Sequence, residues 1–271
     1  MGASRTWNVL LGAALAALLA TPATAQLAFL ADFEEGSKAA VPGPEVNDVN
    51  NWDILAPGQT LVVTDHPTNG TLGLKITVEG CGNSGMFMPP SIDDFTDGII
   101  QVEMNPGDDD SFGVVFRRSS DTKGYIVFFG TVETPAVIVA GMDKCGAQGV
   151  CWDQNTCENN EANTLAQEPH GMALGIANNS DTIGRVEVTG DRIRVWYALL
   201  EDVADPMADK LNIDPLIDIT DGDFGAAGAV GLWHESMANS YYDNFWVTSA
   251  GGLAVDPAAK ASLTWGHLKA R

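Results

Sequence analysis

Gly184-Arg185-Val186-Glu187-Val188-Thr189-Gly190-Asp191-Arg192-Ile193-Arg194-Val195-Trp196-Tyr197 is the stretch that decides the architecture of this chain. In Arg185-Val186-Glu187-Val188 and in Ile193-Arg194-Val195-Trp196-Tyr197, polar and apolar residues alternate with a period of two. One face of each segment is then polar and the other apolar, as a half-buried antiparallel strand requires. Between them, Thr189-Gly190-Asp191-Arg192 carries a tight-turn signal, because Gly and Asp tolerate the positive φ of a short hairpin loop. The stretch predicts two antiparallel strands joined by a hairpin.

Working outward, the same pattern recurs along nearly the whole chain. Short runs of β-branched and aromatic residues, separated by Gly, Asp, Asn and Pro, predict strands at 27–34, 61–64, 71–78, 85–88, 98–104 and 111–117. Further runs predict strands at 124–130, 136–140, 184–189, 192–199, 229–233 and 242–248. No segment of ten or more residues before position 251 carries a helical period. Strands without helices can bury their apolar faces only against other strands. The expected fold is therefore all-β, a sandwich or jelly roll. Two segments depart from the pattern. Residues 141–171 hold three of the four cysteines and little apolar content, and are expected to form a long insertion stapled by disulfides. Residues 251–271 form a tail made locally basic by Lys260, His267, Lys269 and Arg271. Docking on the acidic body, a short helix and an attachment signal all remain open for it.

The chain has 271 residues, with 36 Asp+Glu against 14 Lys+Arg and a net charge of −22. Its hydrophobic fraction of 45% excludes wholesale disorder. Its charge repels polyanions, which excludes nucleic acid and anionic membrane surfaces as partners and favours divalent cations. Arg5, the Ala- and Leu-rich run from Val9 to Ala20, and Ala23-Thr24-Ala25 read as a signal peptide over residues 1–25, with a mature start at Gln26. No stretch approaches the roughly 20 apolar residues of a membrane span. A secreted protein, extracellular, periplasmic or at the cell surface, is the expectation, with one jelly-roll domain over residues 26–250. Four cysteines in an exported chain, Cys81, Cys145, Cys151 and Cys157, favour disulfides, and three connectivities are open. Their spacing does not match the paired C-x2-C of zinc ribbons.

Three segments in order carry a family pattern. They are Ala31-Asp32-Phe33-Glu34-Glu35-Gly36 with Trp52 after it; Phe112-Gly113-Val114-Val115-Phe116-Arg117-Arg118 with Asp121 and Gly124-Tyr125-Ile126-Val127; and Gly228-Ala229-Val230-Gly231-Leu232-Trp233 with Tyr242-Asp243-Asn244-Phe245-Trp246-Val247. Over residues 27–248 this order resembles the concanavalin A-like lectin/glucanase superfamily, with laminin-G-like, thrombospondin C-terminal-like and carbohydrate-binding-module branches nearest. The resemblance implies a two-sheet antiparallel jelly-roll sandwich of the concanavalin A-like type in which the first and last strands pair, with a structural calcium beside them. The positions matching that metal site are Asp32, Glu34 and Asp243. Calcium takes six to eight hard oxygen ligands, which carboxylates and loop carbonyls supply. Asp108-Asp109-Asp110 and Asp218-Ile219-Thr220-Asp221-Gly222-Asp223 are rival oxygen clusters. Neither fits the EF-hand loop, and both read as exposed turns.

Sugar binding needs an aromatic platform with polar groups around it. Trp233, His234, Glu235, Tyr241 and Arg117 are the candidates, together with Trp152 in the insertion; Trp52, Trp196 and Trp246 read as sheet packing. Hydrolysis by the glucanase branch would require an acidic run of the E-x-D-x-E type, and none occurs. Strand 98–104 offers Glu103 with neutral neighbours only. There is no G-x-S-x-G or H-E-x-x-H. The expected function is a secreted binder of extracellular carbohydrate or matrix polymer with a structural calcium. The alternatives are a self-associating surface or filament subunit and, further off, an atypical glycoside hydrolase.

Overall fold

A computed structural model describes residues 26–34, 48–55, 61–77, 84–90, 92–120, 123–131, 136–142, 152–153, 158–159, 164–169, 176–208 and 210–249. The strands are, in chain order, β1 (Gln26–Ala31), β2 (Asp53–Leu55), β3 (Leu61–Asp65), β4 (Leu72–Ile76), β5 (Ser84–Met88) and β6 (Gly98–Asn105). There follow β7 (Ser111–Ser120), β8 (Lys123–Gly130), β9 (Ala136–Gly141), β10 (Trp152–Asp153), β11 (Glu158–Asn159) and β12 (Thr164–Pro169). The chain continues with β13 (Thr182–Thr189), β14 (Arg192–Leu199), β15 (Ile217–Thr220), β16 (Ala229–Glu235) and β17 (Tyr241–Ser249). Short 3-10 turns at Val49–Asn51 and Leu200–Asp202 are the helical elements among the described residues.

The strands form two antiparallel sheets. One runs β15-β14-β13-β6-β17-β4-β3, with β1 also along β17; the other runs β12-β9-β8-β7-β16-β5-β2; β10 and β11 pair by themselves. The decisive hairpin forms as read: β13 and β14 pair from Thr182 opposite Leu199 to Thr189 opposite Arg192, and Gly190 turns at φ 58°. Val186, Val188, Ile193 and Val195 face the core between the sheets. Arg185 and Trp196 lie on the other face, where the segment after β14 covers them. Arg185 donates through Nε to Gln101 Oε1 (2.7 Å) and through Nη2 to the carbonyls of Pro206 and Ala208, and Trp196 Nε1 donates to the Ile213 carbonyl (3.0 Å).

The main core packs Phe29, Phe33, Trp52 and Phe245 in tilted and edge-on contacts, with ring centroids 5.5–6.3 Å apart. Each such burial is worth roughly 1.5–3 kcal/mol. The second sheet is apolar on both faces. Val114, Phe116, Tyr125 and Val127 point into the main core, while Val115, Ile126, Phe128 and Trp233 form a second buried cluster behind it. Its strands consequently read as continuous apolar runs instead of alternating ones.

All twelve expected strands form, and the first and last strands pair, with Leu30 opposite Trp246 and Ala31 opposite Phe245. Three readings are corrected. The first strand ends at Ala31, so Asp32 to Glu34 follow it as a non-strand segment. Residues 141–171 are not a strandless insertion, because Thr164–Pro169 forms β12 against β9. Asp218 to Thr220 belong to the edge strand β15 and not to a turn, with Asp218 opposite Arg194. Of the five strands not expected, β10 and β11 pair by themselves and β2, β12 and β15 lie at sheet edges, where one face and one backbone edge meet solvent and polar residues and Pro are tolerated. The four cysteines lie outside the described residues, as do residues 1–25 and the tail after Ser249.

Candidate metal centre

One edge of β17 is shared by two strands placed end to end. β4 pairs with Tyr241 and Tyr242, and β1 pairs with the stretch from Phe245 onward. At the junction the pairing of β17 with β6 slips between Asp243 and Trp246, and Asn244 takes φ 44°. A bulge re-aims the side chains on either side of it. Tyr242 and Phe245 therefore both face the main core, while Asp243 lies directly across from Glu103 of β6.

Around this junction the chain assembles polar groups from four segments. Asp243 Oδ2 accepts from Asn69 Nδ2 (3.1 Å) and the Thr71 hydroxyl (3.2 Å), and its Oδ1 accepts from the Asn244 backbone N–H (2.7 Å). Glu103 Oε2 accepts from Asn244 Nδ2 at 2.9 Å. Asp181 accepts from the Thr68 hydroxyl at 2.6 and 2.7 Å and from Asn105 Nδ2 at 2.8 Å. His66, Asn69, Glu103, Asp181 and Asp243 line a small cavity of about 10 Å³, room for one water-sized particle.

Two carboxylates here are almost wholly out of solvent, Asp243 at 2% exposure and Glu103 at 6%. Burial, and next the Glu103 charge, push Asp243 up to about 8, against the hydrogen bonds from Asn244, Asn69 and Thr71 that favour its ionised form. Burial lowers His66, with the Asp181 charge acting the other way. The cavity thus gathers acidic groups that cannot all ionise cheaply beside a neutral imidazole. This is the electrostatic condition that a cation relieves.

Of the expected metal trio, Asp243 faces the cavity. Glu34 accepts the Leu72 backbone N–H at 2.8 Å, which ties the segment after β1 to the start of β4, and Asp32 Oδ1 accepts the Glu34 N–H at 3.3 Å. The sequence pattern did not point to Asp181 or His66, and it offered Glu103 only as an isolated acid. The available signal was one charged residue inside the apolar run of 98–104, where burial requires a partner. Separately, Asp108, Asp109 and Asp110 bring their carboxylates within 4.8 Å of one another on the β6–β7 turn, a group that could hold a metal.

The expected sugar-binding residues are placed differently from one another. Trp233, His234 and Glu235 lie side by side on β16 with 0%, 0% and 2% exposure, so they offer no open stacking face. Trp233 meets Phe128 edge-on at 4.6 Å, and its carbonyl accepts the Tyr242 hydroxyl. His234 stacks on Phe87 at 5.1 Å, and burial pushes it down to about 3. Arg117 clamps the backbone, donating to Thr96 O (2.8 Å) and Gly190 O (2.7 Å) and pairing with Asp97 at 3.2 Å. Tyr241 is half-buried against His66, with the Lys75 ammonium 5.7 Å from its ring centre. Trp152 opens β10, and its side chain lies outside the described residues.

No protein-family model and no curated protein match the chain. Solved structures do. The metal-free VIP36 exoplasmic/lumenal domain is similar with a TM-score of 0.52 and 14% identity over 85% of this chain and 95% of that one. Its Ca2+/Man2-bound form gives 0.50 and 15% over 78% and 85%. The carbohydrate binding module CBM66 from Bacillus subtilis gives 0.49 and 17% over 73% and 96%. The two VIP36 likenesses show a fold, a jelly roll of the concanavalin A-like lectin type.

Proposed function

We propose, from a concanavalin A-like jelly roll as premise, that this chain is a secreted glycan- or matrix-binding domain whose Asp243–Glu103 cavity holds a structural calcium ion. The observation that carries the metal half is the buried carboxylate pair beside a small, water-sized space. The donor set fits: carboxylates are hard ligands, and calcium accepts irregular sets of them. Asp243 and Glu103 would hold the ion, with Asp181 and Asn69 at the cavity wall. Bound there, calcium supplies the positive charge that lets both buried carboxylates ionise. Without it Asp243 keeps its proton through neutral pH, and binding displaces that proton. Asp32 and Glu34 brace the junction from outside the cavity. The Asp108–Asp110 group is the weaker alternative, because three consecutive residues of one turn bind no separate elements together.

The glycan half is supported by the fold and by what its neighbours bind, a carbohydrate-binding module and a form solved with Ca2+ and Man2 among them. Differential scanning calorimetry with calcium or with EDTA, followed by a glycan array under both conditions, tests the proposal. A lower melting temperature in EDTA and calcium-dependent glycan binding are expected. Identical melting curves would remove the calcium, and a blank array would remove the glycan.

A further inference from the structure

The second sheet carries an open groove of about 310 Å³ at its β2 edge. Met88, Pro89 and Pro90 line its apolar side, and Asp53, Asp93 and Arg118 line its charged side. Its size is at the small end of ligand pockets, enough for one ring-sized unit.

Arg118 reaches the groove through a bulge. The pairing of β7 with β8 slips between Phe116 and Ser120, its pairing with β16 slips at Ala229–Gly231, and Arg117 takes φ 50°. Two adjacent arginines are thereby sent to different places: Arg117 into its clamp on Thr96 and Gly190, Arg118 to the groove opposite Ala229. Two glycines make room for this backbone. A Cβ at Gly228 would lie 2.4 Å from the Arg117 carbonyl carbon, and one at Gly124 would lie 2.9 Å from the Arg118 Cα. Neither contact can be relieved by a side-chain rotation, so larger residues there would shift the bulge and with it Arg118.

Two carboxylates and a guanidinium lining one groove with apolar side chains match a polyhydroxylated ring. Carboxylates accept hydroxyl hydrogen bonds, the guanidinium donates to hydroxyl or ring oxygens, and proline rings and a thioether cover C–H faces. A net charge of −22 and two acids at the rim disfavour uronates and sulfated sugars. We infer that this groove binds one unit of a neutral glycan, held by Asp53, Asp93 and Arg118 over Met88, Pro89 and Pro90. This inference rests on the glycan-binding reading and locates its site.

The test is a printed array of neutral, uronate-containing and sulfated oligosaccharides. Isothermal titration of the tightest neutral oligosaccharide follows, into wild type, Asp53→Asn, Asp93→Asn and Arg118→Gln, with Asp202→Asn, in the 3-10 turn after β14, as control. Each groove variant is expected to weaken binding about tenfold or more, the loss of one charge-assisted hydrogen bond, with the control unchanged. Asp53 and Asp93 are exposed, so their amide variants keep the wild-type melting temperature and separate recognition from folding. Neutral-glycan binding that survives all three variants overturns the groove and leaves the glycan reading standing, as does a preference for anionic glycans. A wild type that binds no glycan overturns both.

Discussion

The small cavity on the first sheet and the wide groove on the second are both acidic, yet they suit different guests. Around the cavity, Glu103 and Asp243 are buried across from one another, and the groups acting on Asp243 are the Glu103 charge and neutral donors. In the groove, Asp53 and Asp93 are exposed and share the space with Arg118. Burial turns a surplus of negative charge into a demand for a cation, because desolvated carboxylates cannot ionise together without one. Exposure turns the same residue type into a set of inexpensive hydrogen-bond acceptors. Accessibility, more than composition, separates an ion site from a ligand site in this chain.

The largest expected effect lies at the cavity. Stripping calcium with EDTA should lower the melting temperature by about 5–10 °C, the shift expected when a saturating ligand is removed from a domain of this size. An unchanged melting curve would erase the contrast between the two regions. Next, Asp243→Asn removes the buried charge while leaving a side chain that can hydrogen-bond. The variant should melt at least as high as wild type in EDTA and should gain nothing from calcium. A calcium response equal to that of wild type would move the metal elsewhere, with Asp108–Asp110 the first place to look.

His234 supplies a control for burial without a cation. Its folded-state value is about 3 against the ordinary imidazole value of 6.5. The unfolded chain therefore takes a proton that the folded chain refuses. Its contribution is complete above pH 6.5 and is lost as pH falls toward 3. Denaturant titrations of His234→Gln should show a shallower loss of stability over that window than wild type, and parallel curves would contradict the assignment. The smallest effect is expected at the exposed pair of Arg192 and Asp218, where Arg192→Gln should leave the melting temperature unchanged within error.

Much of the fold was legible because burial imposes it on composition. The runs at 112–116 and 125–129 are apolar at nearly every position since both faces of their sheet are covered, and the alternation at 185–188 marks a sheet with distinct faces. The edge strands β12 and β15 escaped notice because an edge accepts Gln, Glu, Asp and Pro. Asp243 was legible from its motif. Asp181 and His66 were not, because the pairing of β13 with β6 and of β3 with β4 brings them to β17 from distant parts of the chain. Trp233, His234 and Glu235 were read as a platform from their side-chain chemistry, yet β16 lies inside a sheet buried on both faces, which a single strand's sequence does not reveal.

The most direct test of the buried-acid account is calorimetric titration of calcium into metal-stripped protein at neutral pH, wild type beside Asp243→Asn. The account predicts one calcium taken up at the Asp243 site by the wild type, with proton release, and none there in the variant. Equal uptake by both proteins, or no uptake by the wild type, would contradict it.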